Sequence, residues 1–460
     1  MRNRMGKISG KQLFIYSSVA IATVLMFLHH YTSNTIIALA GLVFLLLPIP
    51  FISFEECVYL LLFYVPNVRM YKLATGNTFI GFLIVLVFLK VFFLKRSSFG
   101  LTTVIAILSM FLVILVNVMG SGNLDMVSPF VRFSMGMMVI VVYLKNIKKN
   151  ANYKTEYDRC IKHFTYGTVS MVVCGILFCL LTGKSIFGGR FAAVHNGPNF
   201  TSMTIGVAVS LLLTHIAFGK KPSTKDFVVM LFLLFGGLIT VSRSFLISVS
   251  VNLILIMYIF MKGKSLSFNK KLSIVLLIIV LCIIFSGAIG NIIGSFEDRF
   301  NDDSMEGGNG RVEIEANYIS LWQKTPVTIL FGIGKAHNLY LLGLADAVHH
   351  NYYIELLTSI GVLGTIAMFG IYVVMFRSVF PNRFKIRFLL GFPVLTYAIM
   401  LLTLPALFDD THLLMITLVL LQYRTFQDEG RSNIKNEALF GGCSGQGEHL
   451  DSSGMSEETV

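Results

Sequence analysis

Apolar runs long enough to cross a membrane follow one another along this chain from residue 13 to residue 424, and no other feature constrains its fold as tightly. About 20 predominantly apolar residues carry an α-helix across the hydrocarbon core, where every backbone amide must be paired within the protein. Measured against that length, the runs predict spans near 13–30, 34–50, 52–66, 78–94, 101–119, 127–145, 161–182, 199–218, 226–242, 244–261, 271–289, 350–376, 388–406 and 410–424. The expectation is an all-α polytopic membrane protein of about 12–14 transmembrane helices. Charged residues make up 13% of the chain, about half of what soluble domains carry. The run at 52–66 is the weakest, because Glu55 and Glu56 stand at its start. The runs at 226–242 and 244–261 are parted only by Ser242-Arg243-Ser244.

Charge supplies the orientation. With the N-terminus inside, 27 of the 37 Lys and Arg fall on the inner side, 9 on the outer side, and Arg132 within a span. Basic loops remain in the cytoplasm, so both termini are expected there. The same rule accounts for the net charge of +13 without nucleic acid as a partner. The opening MRNRMGKISGKQ and the apolar run behind it read as an uncleaved first span. Residues 1–424 then form one transmembrane domain, and the Gly-, Ser- and Glu-rich stretch 425–460 a disordered cytoplasmic tail. Inner-side Glu156 and Asp158 read as a solvated loop face. No phosphate-loop motif and no metal-ligand spacing is present, so neither cofactor nor metal is expected.

The longest polar interruption, 290–349, falls on the outer side, together with the loop 183–198 and the Arg243 turn. Membrane-protein connections are normally short, so this one reads as a lid and active-site loop. It carries the only Trp, Trp322, and ends in His349-His350-Asn351. Outer-side cations are few, which makes Arg190, Arg243 and Arg311 informative. A guanidinium donates two parallel hydrogen bonds and suits phosphate, and the acidic character of the long loop means that particular arginines must hold any anion. His349 and His350 are candidates for proton transfer. His350 is expected in the first turn of the span that follows, where the helix N-terminus favours a neutral ring. Asp409 and Asp410 lie in the last outer loop.

With these residues in place, the sequence resembles the O-antigen ligase and polymerase superfamily of bacterial surface-glycan assembly. Three stretches carry the resemblance, in the family's order. GGRFAAVHNGPNFTSM matches an outer-loop Arg, here Arg190, followed by a Pro-Asn helix start at Pro198-Asn199. LITVSRSFLISVS matches a Thr-x-Ser-Arg run ending at Arg243. GNGRVEIEANYISLWQKTPVTILFGIGKAHN through HHNYYIELLTSIGVLG matches a loop Arg (Arg311), a Trp-bearing helix, a Phe-Gly-Ile-Gly turn, His-Asn, an acidic residue and Gly-x-x-Gly. The family has one His before the Asn; here it is doubled, and alignment favours His350 over His349. The resemblance implies an architecture like that of the C-type glycosyltransferases in a bacterial inner membrane. It implies metal-independent transfer from a polyprenyl pyrophosphate-linked oligosaccharide at the outer face, in contact with membrane lipid and with flippase and chain-length regulator proteins as partners. His350, Arg190 and Arg311 take the catalytic places, and Arg243, His349, Asn351 and Asn199 the substrate-binding ones. Polymerisation of repeat units is the first expectation; ligation to another acceptor, or transport of the lipid-linked oligosaccharide, are the alternatives.

Overall fold

The computed structural model describes residues 10–68, 70, 79–94, 100–121, 124, 126–150, 153–186, 190–194, 197–218, 224–262, 290, 293–294, 297, 311–334, 350–379, 391–404, 407–408, 417–418 and 421. Among them every regular element is helical: α1 (Gly10–Thr32), α2 (Thr35–Leu46), α3 (Phe54–Tyr64) with a 3-10 turn (Val65–Asn67), α4 (Phe79–Leu94), α5 (Leu101–Ser121), α6 (Val127–Asn150), α7 (Tyr153–Thr182), α8 (Pro198–Phe218), α9 (Thr224–Leu238), α10 (Arg243–Lys262), α11 (Arg311–Trp322), α12 (Pro326–Phe331), α13 (Tyr352–Val379) and α14 (Gly391–Leu401). By length and composition α1, α5, α6, α7, α8 and α13 can each cross a membrane, and α2, α4 and α10 are shorter apolar helices. The protein is an all-α polytopic membrane protein. The expected span 271–289, His349, Asp409, Asp410 and the tail 425–460 lie outside the described residues.

The most enclosed of these spans is α8. It begins with Pro198, whose fixed φ suits the first helical position. Two of its buried hydroxyls turn back onto their own helix: Thr204 donates to the Phe200 carbonyl at 3.1 Å and Thr214 to the Ser210 carbonyl at 2.6 Å. Polar side chains can thus be buried in an apolar bundle without an orphaned hydrogen-bonding group. α14 crosses to α10 through Asn252, whose amide donates to Thr396 Oγ1 at 2.6 Å.

Two readings from sequence change. The weak run at 52–66 is an interior helix: Ser53 and Glu56 form a reciprocal capping box, so the acidic start is a helix signal and not a break. Arg132, expected within a span, lies near one end of it. It stands five residues into α6, roughly 7–8 Å from its start, with its side chain lying over Gly81 of α4.

The run 350–376 also changes. It is two helical arms joined at Gly361, which has φ 67 and ψ −174. The hydroxyls of Tyr352 and Tyr372 meet at 2.7 Å, although 20 residues of straight helix would hold them about 30 Å apart. The axis therefore folds sharply at Gly361. The first arm, 352–360, is too short to cross the hydrocarbon core, which takes about 20 residues.

Candidate functional site

At the end of the bundle that the charge asymmetry assigns to the outside, three turns are tied to one another. The first is the segment 190–194. Phe191 and Val194 are buried, and Thr201 Oγ1 donates to the Ala192 carbonyl at 2.5 Å. The chain runs so close to α7 that a Cβ on Gly175 would lie 2.4 Å from Ala193 Cα. Arg190 is exposed above this pinned backbone, and its Nη2 donates to Asn199 Oδ1 at 3.0 Å. Sequence alone nominated both residues; the fold places them in contact.

The second turn is the reversal between α9 and α10. Thr240 N and Val241 N donate to the Gly237 and Leu238 carbonyls at 3.2 and 3.0 Å, and the Ser242 carbonyl accepts from Leu246 N at 3.1 Å. Gly237 is required here, since a Cβ would sit 2.0 Å from Phe245 Cζ. Arg243 is the first residue of α10 and is half-buried. Phe191 N donates to the Ile239 carbonyl at 3.2 Å, which fastens the Arg190 segment to the turn that presents Arg243.

The third region is the start of α13 with the loop packed on it. The helix begins at Tyr352, not at His350. Asn351 caps it, its Oδ1 accepting from Tyr353 N at 3.0 Å and Ile354 N at 3.4 Å. His350 is therefore one residue outside the cap and exposed, and the first-turn placement expected for it is corrected. Glu355, one turn on, is 3% exposed, and its Oε2 accepts from Leu407 N at 3.0 Å. Tyr318 of α11 is buried nearby, and burial together with the Glu355 charge pushes its phenol up to about 12. It stays a neutral hydrogen-bond donor through the physiological range. Ser244 Oγ lies 3.2 Å from Thr403 Oγ1 and links α10 to the segment that ends at Leu407.

The loop is locked into the fold of α13. Ile333 N and Gly334 N donate to the Thr358 and Ser359 carbonyls at 2.8 and 3.2 Å. Asn117 of α5 donates to the Phe331 and Gly332 carbonyls at 3.0 and 2.8 Å. A Cβ on Gly361 would lie 2.4 Å from the Leu330 carbonyl oxygen, and one on Gly332 2.4 Å from the Ser359 carbonyl. The two glycines let backbone meet backbone. Asn117 and Tyr318 were not singled out from sequence, and Glu355 entered only as the acidic residue of the family pattern, with no role assigned to it. A lone Asn inside LVILVNVMG was the available signal, because an amide in an apolar span needs a partner.

Hydrogen bonds thus tie the Arg190 segment to the Arg243 turn, that turn to Thr403, and Leu407 to Glu355. Among the described residues, three of the four non-glycine residues with left-handed backbone lie along these ties: Ala193 (φ 48), Val241 (φ 50) and Phe408 (φ 59). Such residues cost about 1–3 kcal/mol each and collect where a site is held in a set shape. Val241 is the most telling, being β-branched. Phe408 is held between Phe130 and Phe133 of α6, with centroids 5.6 and 5.7 Å away. Arg311 opens α11.

No curated protein matches the chain. Residues 228–369 match a family model described as O-antigen ligase. The stretch runs from α9 into α13 and holds Arg243, Arg311 and His350, whereas Arg190 and Asn199 precede it. The match covers less than a third of the chain and supports an assignment to the O-antigen ligase/polymerase superfamily.

Proposed function

We propose that the protein is a polymerase that joins polyprenyl pyrophosphate-linked oligosaccharide repeat units into a surface polysaccharide at the outer face of a bacterial inner membrane. The observation that carries the reading is the set of hydrogen-bonded ties between the Arg190 segment and Glu355. It joins the segments that bear Arg190, Asn199 and Arg243 to the first turn of α13, the helix that His350 and Asn351 precede. His350 takes the proton of the acceptor hydroxyl, whose oxygen bonds to the anomeric carbon as the bond to the pyrophosphate breaks. Arg190 and Arg311 stabilise the charge developing on the departing polyprenyl pyrophosphate, with Arg243 supporting them from the membrane edge. Asn199 orients Arg190 through the contact at 3.0 Å, and Asn351 positions His350 by fixing the start of α13. His349 takes a substrate-binding role. The reaction as written needs no metal. Flippase and chain-length regulator proteins are the expected partners in the membrane.

The family description favours a second reading, ligation of finished glycan to another acceptor. Deleting the protein from a producing cell separates the two. Loss of a polymerase reduces the lipid-linked glycan ladder to single repeats. Loss of a ligase leaves long lipid-linked chains in place, and that outcome would reject the polymerase reading.

A further inference from the structure

At the opposite, lysine-rich end of the bundle, α7, α8 and α9 line a small open cleft. Asp158, Lys162 and Thr165 reach it from one face of α7, at the four- and three-residue spacings that stack side chains on a helix. His215 comes from the last turn of α8, and Lys225 and Asp226 from the first turn of α9. His215 Nδ1 lies 3.8 Å from Asp158 Oδ1. Thr165 is 3% exposed, and its Oγ1 has no hydrogen-bond partner, a state that buried hydroxyls seldom keep. Leu212 and Val229 supply an apolar flank.

We infer that this cleft binds a phosphoethanolamine group, presented by a zwitterionic phospholipid of the cytoplasmic leaflet. The lining alternates in sign: two lysines and a histidine face a phosphate, and two aspartates face an ammonium. A purely anionic headgroup would leave both carboxylates opposed to like charge, and a choline headgroup has no N–H to give them. The Thr165 hydroxyl donates to a phosphate oxygen, and the apolar flank meets the glycerol and the first methylenes. The inference is independent of the reaction proposed above.

The test is native mass spectrometry and thermal unfolding of the full chain in micelles carrying phosphatidylethanolamine, phosphatidylcholine or phosphatidylglycerol. The ethanolamine lipid should be retained at least fivefold better than the other two and should raise the unfolding midpoint most. Thr165→Val, which keeps the side-chain shape, should weaken that retention roughly three- to tenfold, and Lys162→Gln with Lys225→Gln should abolish the preference. Equal retention of the three lipids, or an unchanged preference in these variants, would overturn the inference. Soluble phosphoethanolamine should compete with the lipid at millimolar concentration; stabilisation by the soluble compound with none by the lipid would reject the lipid as its source.

Discussion

At the lysine-rich end of the bundle the helices are tied side chain to side chain. Glu156 of α7 accepts from Tyr59 of α3, from Tyr143 of α6 at 3.4 Å and from Arg159 at 3.3 Å. His163 stacks on the Tyr59 ring at 5.0 Å. At the opposite end many of the ties run through the backbone, by way of carbonyls and amides of turns that include left-handed Ala193, Val241 and Phe408. A side-chain clamp holds helices together and can lose one partner at modest cost. A strained backbone turn aims the residues beside it, and strain persists only where the surroundings over-determine it. The contrast predicts that changes at the first end lower stability, whereas changes at the second abolish activity in protein that still folds.

The largest expected effect is at His350. Removing a general base costs about two to four orders of magnitude in rate, so His350→Ala should bind lipid-linked donor and make almost no polymer, while His349→Ala is milder. Polymer yield and donor binding, assayed separately at matched expression, decide it; the reverse result would move the base to His349. Next come Arg190→Lys and Arg311→Lys, which keep the charge and lose the planar fork. Loss of one such stabilising donor costs roughly a hundredfold or more. Near-normal polymer from either variant would mean that the arginine is an interfacial anchor.

Gly361→Ala sits between the two ends of the comparison. Its left-handed backbone alone costs an alanine about 1–3 kcal/mol, and the added Cβ would lie 2.4 Å from the Leu330 carbonyl oxygen. Both the unfolding midpoint and polymer yield should fall, since the loop loses its seat; a wild-type midpoint would disprove the fold-back of α13. The smallest effect on activity is expected from Glu156→Gln. It should lower stability by about 1.5–3 kcal/mol, the range for hydrogen bonds to a charged group, with activity per folded molecule unchanged. A dead but stable Glu156→Gln protein would end the contrast between the two ends.

The sequence was most readable where one run of residues decides one element. Helices α5, α6, α8 and α10 follow their apolar runs closely, and Ser242-Arg243-Ser244 proved to mark the reversal between α9 and α10. It was least readable where the partner is far away in sequence. Glu156 read as solvated because Tyr59 stands 97 residues earlier. The fold at Gly361 was hidden in a largely apolar run whose glycines are each compatible with a helix. The seat it makes depends on Leu330 and Gly332 in another element. Arg190 and Asn199 were both nominated from the family pattern, yet their contact needed the turn at 190–194 to be built first. Chemistry-bearing residue types announce themselves singly; the backbone geometry that aims them does not.

The central claim is that the strained end of the bundle elongates glycan. The measurement that tests it most directly is elongation by the purified full chain in proteoliposomes supplied with lipid-linked repeat units, read as a glycan ladder, with His350→Ala, Arg190→Lys and Glu156→Gln run in parallel. Wild type and Glu156→Gln should each give a ladder, and the other two variants single repeats. A full ladder from His350→Ala, or movement of lipid-linked oligosaccharide across the bilayer without elongation by the wild type, would contradict the central claim.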